Sequence, residues 1–131
     1  MQWTFGFGKD IINGVHSLST PVRHALFCIS AHSGIIYDYD KRSQTILQGH
    51  CNDITCAAVS NDKRWIVTAD SGDDNIMVIW DSLSGAPVKT IFAPHTRGVA
   101  AMDISEDALY VATLSQDVPV MVSTSDGFKV L

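Results

Sequence analysis

Ile54-Thr55-Cys56-Ala57-Ala58-Val59, Trp65-Ile66-Val67-Thr68-Ala69, Ile76-Met77-Val78-Ile79-Trp80 and Val88-Lys89-Thr90-Ile91-Phe92 are four short apolar runs in succession. Between them stand Ser60-Asn61-Asp62-Lys63, the polar stretch Asp70-Ser71-Gly72-Asp73-Asp74-Asn75, and Asp81-Ser82-Leu83-Ser84-Gly85. Asp, Asn, Ser and Gly form turns, and short runs rich in β-branched and aromatic residues bounded by them read as strands. The third run is apolar at both alternating sets of positions. A strand with one wet face alternates, so this one is expected to be covered on both faces.

The pattern recurs. A gapless shift of 45 residues lays His50 on His95, Ser60 on Ser105, Asp62 on Asp107, Thr68 on Thr113 and Asp81 on Asp126. Replacements between those identities keep their character: Ile54 with Val99, Val59 with Ile104, Trp65 with Tyr110, Ile66 with Val111, Ile76 with Met121. A fixed period of this length, four strands long, signals a repeat architecture in which each unit buries its faces on its neighbours. Upstream, Val15–Leu18, Leu26–Ile29, Ile35–Tyr39 and Thr45–Leu47 form a looser copy, with Tyr37-Asp38 standing 43 residues before Trp80-Asp81 and Pro21 in a turn. The expected units are residues 1–12, the end of a preceding blade; 13–47, a blade; 48–92, the best-formed blade; and 93–131, a degenerate or truncated one. In that last unit Pro94 replaces Gly49, Pro119 replaces Asp74 and Ser125 replaces Trp80, and from about Val118 the chain is expected to leave the pattern. A divergent terminal blade, an alternative C-terminus and an incomplete chain all give this appearance.

Composition narrows the function. Among 131 residues, 46% are apolar and 18% charged, and 14 acidic against 9 basic residues leave a net charge of −5. That balance describes a folded chain and lacks the clustered cations a nucleic-acid surface needs. No apolar run approaches the ~18 residues of a membrane span. Met1 to Gly6 shows no positive stretch followed by a long apolar one, so a signal peptide is not expected. Three cysteines, Cys28, Cys51 and Cys56, cannot all pair with one another, which fits a reducing compartment. No Gly-x-Ser-x-Gly elbow and no phosphate loop ending in Lys-Ser/Thr occurs, so neither an enzyme nor a bound cofactor is expected.

Leu47-Gln48-Gly49-His50, a spacer, and Trp80-Asp81 together resemble the WD repeat, the four-stranded blade of a β-propeller. The resemblance implies an all-β WD40 propeller of about three four-stranded units. It also implies a buried relay of Asp74 in the turn before the third strand, His50 before the first, Thr68 on the second and Trp80 on the third. An enclosed indole N–H or imidazole must find partners or cost about 1–3 kcal/mol each.

The run from Trp3 to Val15, Ala31-His32-Ser33-Gly34 with Ile35 to Tyr39, and Asp62 to Asp70 are similar to the cilia- and flagella-associated WD-repeat proteins of the motile axoneme. Within that group the likeness is to the member of the calmodulin- and spoke-associated complex at the base of a radial spoke. What it implies is a non-catalytic scaffold of the cilium or flagellum, with axonemal proteins of the radial spoke and calmodulin-associated complex as partners.

At least four blades of about 45 residues, roughly 180 in all, are needed to close a propeller. With 131 residues, about three units leave apolar faces open, to be covered by remaining blades of a longer chain or by self-association. The loops offer Tyr39, Arg42 and Arg97 as interface candidates, since Tyr and Arg anchor protein contacts. Rival readings exist. His50 with Cys51 and Cys56 offers zinc-type ligands, Asp70 to Asn75 has the composition of a calcium loop, and His50 or His95 with acidic neighbours is the raw material of a hydrolase. Ligand count, strand context and the relay weigh against all three. A stand-alone recognition module outside cilia is the remaining alternative.

Overall fold

The computed structural model describes residues 14–72, 74–92, 98–106, 110–115 and 119–123. These residues form antiparallel strands: β1 Val15–Ser17, β2 Ala25–Ser30, β3 Ser33–Asp38, β4 Ser43–Gln48, β5 Ile54–Val59, β6 Trp65–Asp70, β7 Ile76–Asp81, β8 Pro87–Phe92, β9 Val99–Ile104, β10 Tyr110–Ser115 and β11 Pro119–Ser123. They make three meandering sheets in the orders β1-β2-β3-β4, β5-β6-β7-β8 and β11-β10-β9.

The sheets stack face to face, and the middle one is buried twice. Ile66, Val78 and Trp80 pack toward the first sheet against Phe27, Ile29 and Leu47. Val67, Ala69, Met77 and Ile79 pack toward the third against Val99 and Val111. This explains why β7 does not alternate between apolar and polar residues: both of its faces lie between sheets. The architecture is all-β, with propeller blades in an incomplete ring, because a closed ring takes at least four. On β10, which packs Val111 inward, Tyr110 and Leu114 alternate outward and stay exposed.

Backbone and hydroxyl groups stitch neighbouring sheets. The Ile54 N–H donates to the Ala31 carbonyl at 2.9 Å, and the Thr55 hydroxyl donates to the Val99 carbonyl at 2.8 Å. Gly98 lies where the third sheet meets the turn after β6: its φ is +92°, and a Cβ there would come within 2.5 Å of the Ser71 Cα. Gly98→Ala is therefore expected to cost about 1–3 kcal/mol in backbone strain alone, with steric overlap added. A fall in the urea midpoint at unchanged slope would register it.

The 45-residue identity of Ser60 and Ser105 has a local cause. The Trp65 N–H donates to Ser60 Oγ at 3.0 Å, and the Tyr110 N–H donates to Ser105 Oγ at 3.0 Å. Each serine closes the first hairpin of its sheet. The Ser60 hydroxyl also donates to Asp62, and that bond is the main reason the Asp62 carboxyl is held below its ordinary value.

At the C-terminal end, where the relay residues of the repeat are replaced, a strand still forms: β11 begins at Pro119 and pairs with β10 from Leu114↔Pro119 to Tyr110↔Ser123. Backbone pairing needs no apolar periodicity, and a proline is tolerated as the first residue of a strand.

Candidate functional site

Two polar constellations stand out, one sealed between sheets and one open at their end. The sealed one begins on β6, where Thr68 and Asp70 are two residues apart and so share a face. Trp80, on neighbouring β7, pairs in register with Ile66 on that same side. His50 enters from the segment between β4 and β5. The Trp80 indole N–H donates to Thr68 Oγ1 at 2.9 Å. Thr68 Oγ1 lies 2.6 Å from His50 Nε2, and His50 Nδ1 lies 2.8 Å from Asp70 Oδ2. The second oxygen, Asp70 Oδ1, accepts the Ile76 N–H at 2.7 Å.

These contacts fit one proton arrangement. A neutral imidazole with its hydrogen on Nδ1 donates to Asp70 and accepts from the Thr68 hydroxyl, whose oxygen in turn accepts from Trp80. Every donor then has an acceptor. The His50 and Asp70 side chains are fully enclosed, and burial lowers the His50 pKa below 6.5 despite the opposing pull of Asp70; His32 adds slightly to the lowering. An unfolded chain therefore binds more protons than the folded one as pH falls through 6.5, and stability drops with acidification from there. The slope is at most about 1.4 kcal/mol per pH unit. Urea midpoints recorded between pH 8 and pH 5 are expected to show this decline, and a His50→Asn variant, less stable at neutral pH, is expected to show a flatter profile.

Asp74 does not belong to the relay. Its side chain is exposed in the β6–β7 turn, and Asp70 supplies the carboxylate instead. Strand alternation carries the signal: the residue two after Thr68 is Asp70, and the register of β6 holds it on the histidine side. His50, Thr68 and Trp80 stand together as described. Both ring nitrogens of His50 are occupied, which leaves neither for a metal. Cys51 is exposed, whereas Cys56 is buried among residues facing the third sheet. Burial pushes the Cys56 thiol up to about 11, so it behaves as a small apolar side chain. Among the described residues, no three His, Cys, Asp or Glu side chains converge as a metal site would require.

The open constellation lies where the β1–β2, β3–β4 and β7–β8 turns meet. Arg23 reaches across from the first sheet, donating to the Ser82 carbonyl at 2.8 Å and to Ser82 Oγ at 3.2 Å. Ser82 Oγ donates to the Lys63 carbonyl at 2.6 Å. Tyr39 stacks on His24 with ring centroids 5.6 Å apart, and its hydroxyl lies 3.0 Å from Ser19 Oγ. His24 Nδ1 lies 2.7 Å from Asp40 Oδ2. Arg42 is exposed nearby with φ at +50°, while Arg97 lies outside the described residues. No local pattern signals the Arg23–Ser82 link, because it joins positions 59 apart that only stacked sheets bring together.

The β-propeller domain of Cps50 (Swd1) from Myceliophteria thermophila superposes with a TM-score of 0.65 over 82% of this chain and 35% of that one, at 20% identity. Cilia- and flagella-associated protein 251 of Tetrahymena thermophila is 46% identical over 117 residues, which span 89% of this chain and 12% of that protein. Its counterpart from Pongo abelii is 43% identical over 88% of this chain and 10% of its own length. The chain thus spans roughly a tenth of the length of these relatives. The model of the CFAP251 N-terminal domain matches residues 1–126, and the chain belongs to that family.

Proposed function

We propose that this chain forms part of a non-catalytic protein–protein scaffold in the axoneme of the motile cilium or flagellum, where it supports radial spoke attachment and motility. Membership of a family whose relatives are named cilia- and flagella-associated proteins carries the proposal. The chemistry agrees with it. The histidine, aspartate and threonine from which a hydrolase would be assembled bond one another inside the inter-sheet layer, so the parts left to meet other molecules are the turns at the sheet ends. Partners on this reading are axonemal proteins of the radial spoke and calmodulin-associated complex, with neighbouring blades or further copies covering the open sheet faces.

The test uses the full-length protein, tagged at its own locus in a motile ciliated cell. It is expected in the axoneme, and electron tomography of cells lacking it should show missing or loosened radial spokes with impaired beating. Normal spokes together with a protein outside the cilium would refute the proposal.

A further inference from the structure

We propose that Thr20, at the tip of the β1–β2 turn, is a phosphorylation site for a proline-directed serine/threonine kinase, and that its phosphate takes the Arg23 guanidinium from Ser82. This goes beyond the scaffold reading and does not depend on where the protein resides.

The turn reads Thr20-Pro21-Val22-Arg23. Of the four prolines in the chain, only Pro21 follows a hydroxyl-bearing residue. Proline has no N–H to leave unsatisfied, so it suits the apolar pocket in which such kinases receive the residue after the acceptor. A cation three residues after the acceptor is the second feature these enzymes read, and Arg23 stands there.

The structure separates Thr20 from the hydroxyls beside it. Ser17 Oγ accepts the Ser19 N–H at 3.2 Å, and Ser19 Oγ donates to the Ala25 carbonyl at 3.3 Å next to the Tyr39 hydroxyl. The Thr20 hydroxyl bonds to none of the described residues. Pro21 is exposed and Val22 is 95% exposed, so the tip stands clear of the sheets. Two backbone bonds close it, from the Thr20 N–H to the Arg23 carbonyl at 2.7 Å and from the Arg23 N–H to the Thr20 carbonyl at 3.2 Å. A kinase takes its substrate extended, so both must open first, and turn tips lie at the low end of local stability. In the transfer, Thr20 Oγ1 forms a bond to the γ-phosphorus of MgATP and the bond to the bridging oxygen breaks. ADP leaves with the electron pair, and the hydroxyl proton passes to the kinase's catalytic aspartate.

The consequence follows from the fold. Thr20 and Arg23 are antiparallel bridge partners, so their side chains lie on one face of the ribbon with Cβ atoms about 5 Å apart. A phosphate adds a charge of about −2 beside the guanidinium. Arg23 is otherwise held by uncharged acceptors, Ser82 Oγ through Nη1 and the Ser82 carbonyl through Nη2. A phosphate taken fork to fork uses the same two nitrogens, in bonds roughly twice as strong. Ser82 lines a cleft, where water replaces the lost donors. Phosphorylation thereby unties the β1–β2 turn of the first sheet from the β7–β8 turn of the second.

The test incubates the native full-length protein with MgATP and a purified cyclin-dependent kinase. Mass spectrometry locates the phosphate, and hydrogen exchange is followed over residues 81–86. Thr20 is expected to be phosphorylated, as is the serine in Thr20→Ser, whereas Thr20→Ala should carry nothing there. Pro21→Ala and Arg23→Gln should each slow modification of Thr20 at least about tenfold, while Arg23→Lys, which keeps the cation, should not. Phosphorylation should speed exchange over 81–86 about twofold to tenfold, as expected for one net hydrogen bond lost. Unmodified Arg23→Gln should show the same increase, and kinase-treated Thr20→Ala none. The Thr20 phosphopeptide is also expected in protein isolated, with phosphatases inhibited, from cells that make it. Thr20 left unmodified in the native or the cellular protein, modified only after denaturation, or modified regardless of Pro21→Ala overturns the site. Unchanged exchange over 81–86 in fully phosphorylated protein overturns the capture of Arg23.

Discussion

Asp70→Ala is expected to destabilise the protein by about 2–6 kcal/mol, whereas Asp74→Ala should stay within about 0.5 kcal/mol. The difference follows from what each carboxylate touches. Asp70 accepts from His50 Nδ1 and from the Ile76 N–H, and its side chain is fully enclosed. Removing it strands two buried donors at about 1–3 kcal/mol each. Asp74 is exposed in a turn, where substitutions rarely matter that much. Asp70→Asn should fall between, because an amide offers one acceptor and presents a hydrogen to a group that also donates. Urea titration of the three variants, followed through tryptophan fluorescence, gives the ranking. An Asp74→Ala protein as unstable as Asp70→Ala would mean that the turn aspartate holds the histidine after all.

Trp80→Ala is expected to be the costliest truncation of an aromatic or aliphatic side chain in the middle sheet, at about 3–5 kcal/mol. Trp80 is 2% exposed in the layer between the first two sheets, and its ring lies close enough to Gly49 that a Cβ there would meet Cη2 at 3.2 Å. The loss therefore has a cavity component as well as the missing N–H bond to Thr68. Trp80→Phe separates the two. It keeps much of the apolar volume and drops the donor, so most of the stability should remain, with about 1 kcal/mol lost for the bond. If the two variants melted together, the hydrogen bond and not the buried ring would dominate. With a typical domain stability of about 5–15 kcal/mol, the alanine variant gives up a large part of it and should be cleared by proteases faster than the phenylalanine variant.

Both experiments turn on a layer that the sequence describes incompletely. The alternation of apolar runs with Asp, Asn, Ser and Gly turns made the strands of the first two sheets legible, because strand and turn preferences are local. The same is true of the two-sided burial of Ile76 to Trp80: a run without polar positions has no wet face to offer. At the end of the third sheet the repeat places a strand at the level of Met121, but its bounds, Pro119 to Ser123, are set by backbone pairing with β10.

His50, Thr68 and Trp80 could be singled out from residue type and spacing, but the acid could not be chosen among the several aspartates of one turn by spacing alone. That choice is made by the facing of β6, which puts Asp70 beside Thr68 and leaves Asp74 in solvent. The open constellation is beyond the sequence altogether: Tyr39 is recognisable as an aromatic in a loop, yet Arg23 and Ser82 carry no individual signature. What the residues determined by themselves was the repeat, its strands and the expectation of stacking, all set by near neighbours in the chain. Tertiary structure decided which carboxylate meets the histidine and which turns share a mouth, because those contacts depend on the register and stacking of sheets whose partners lie tens of residues apart.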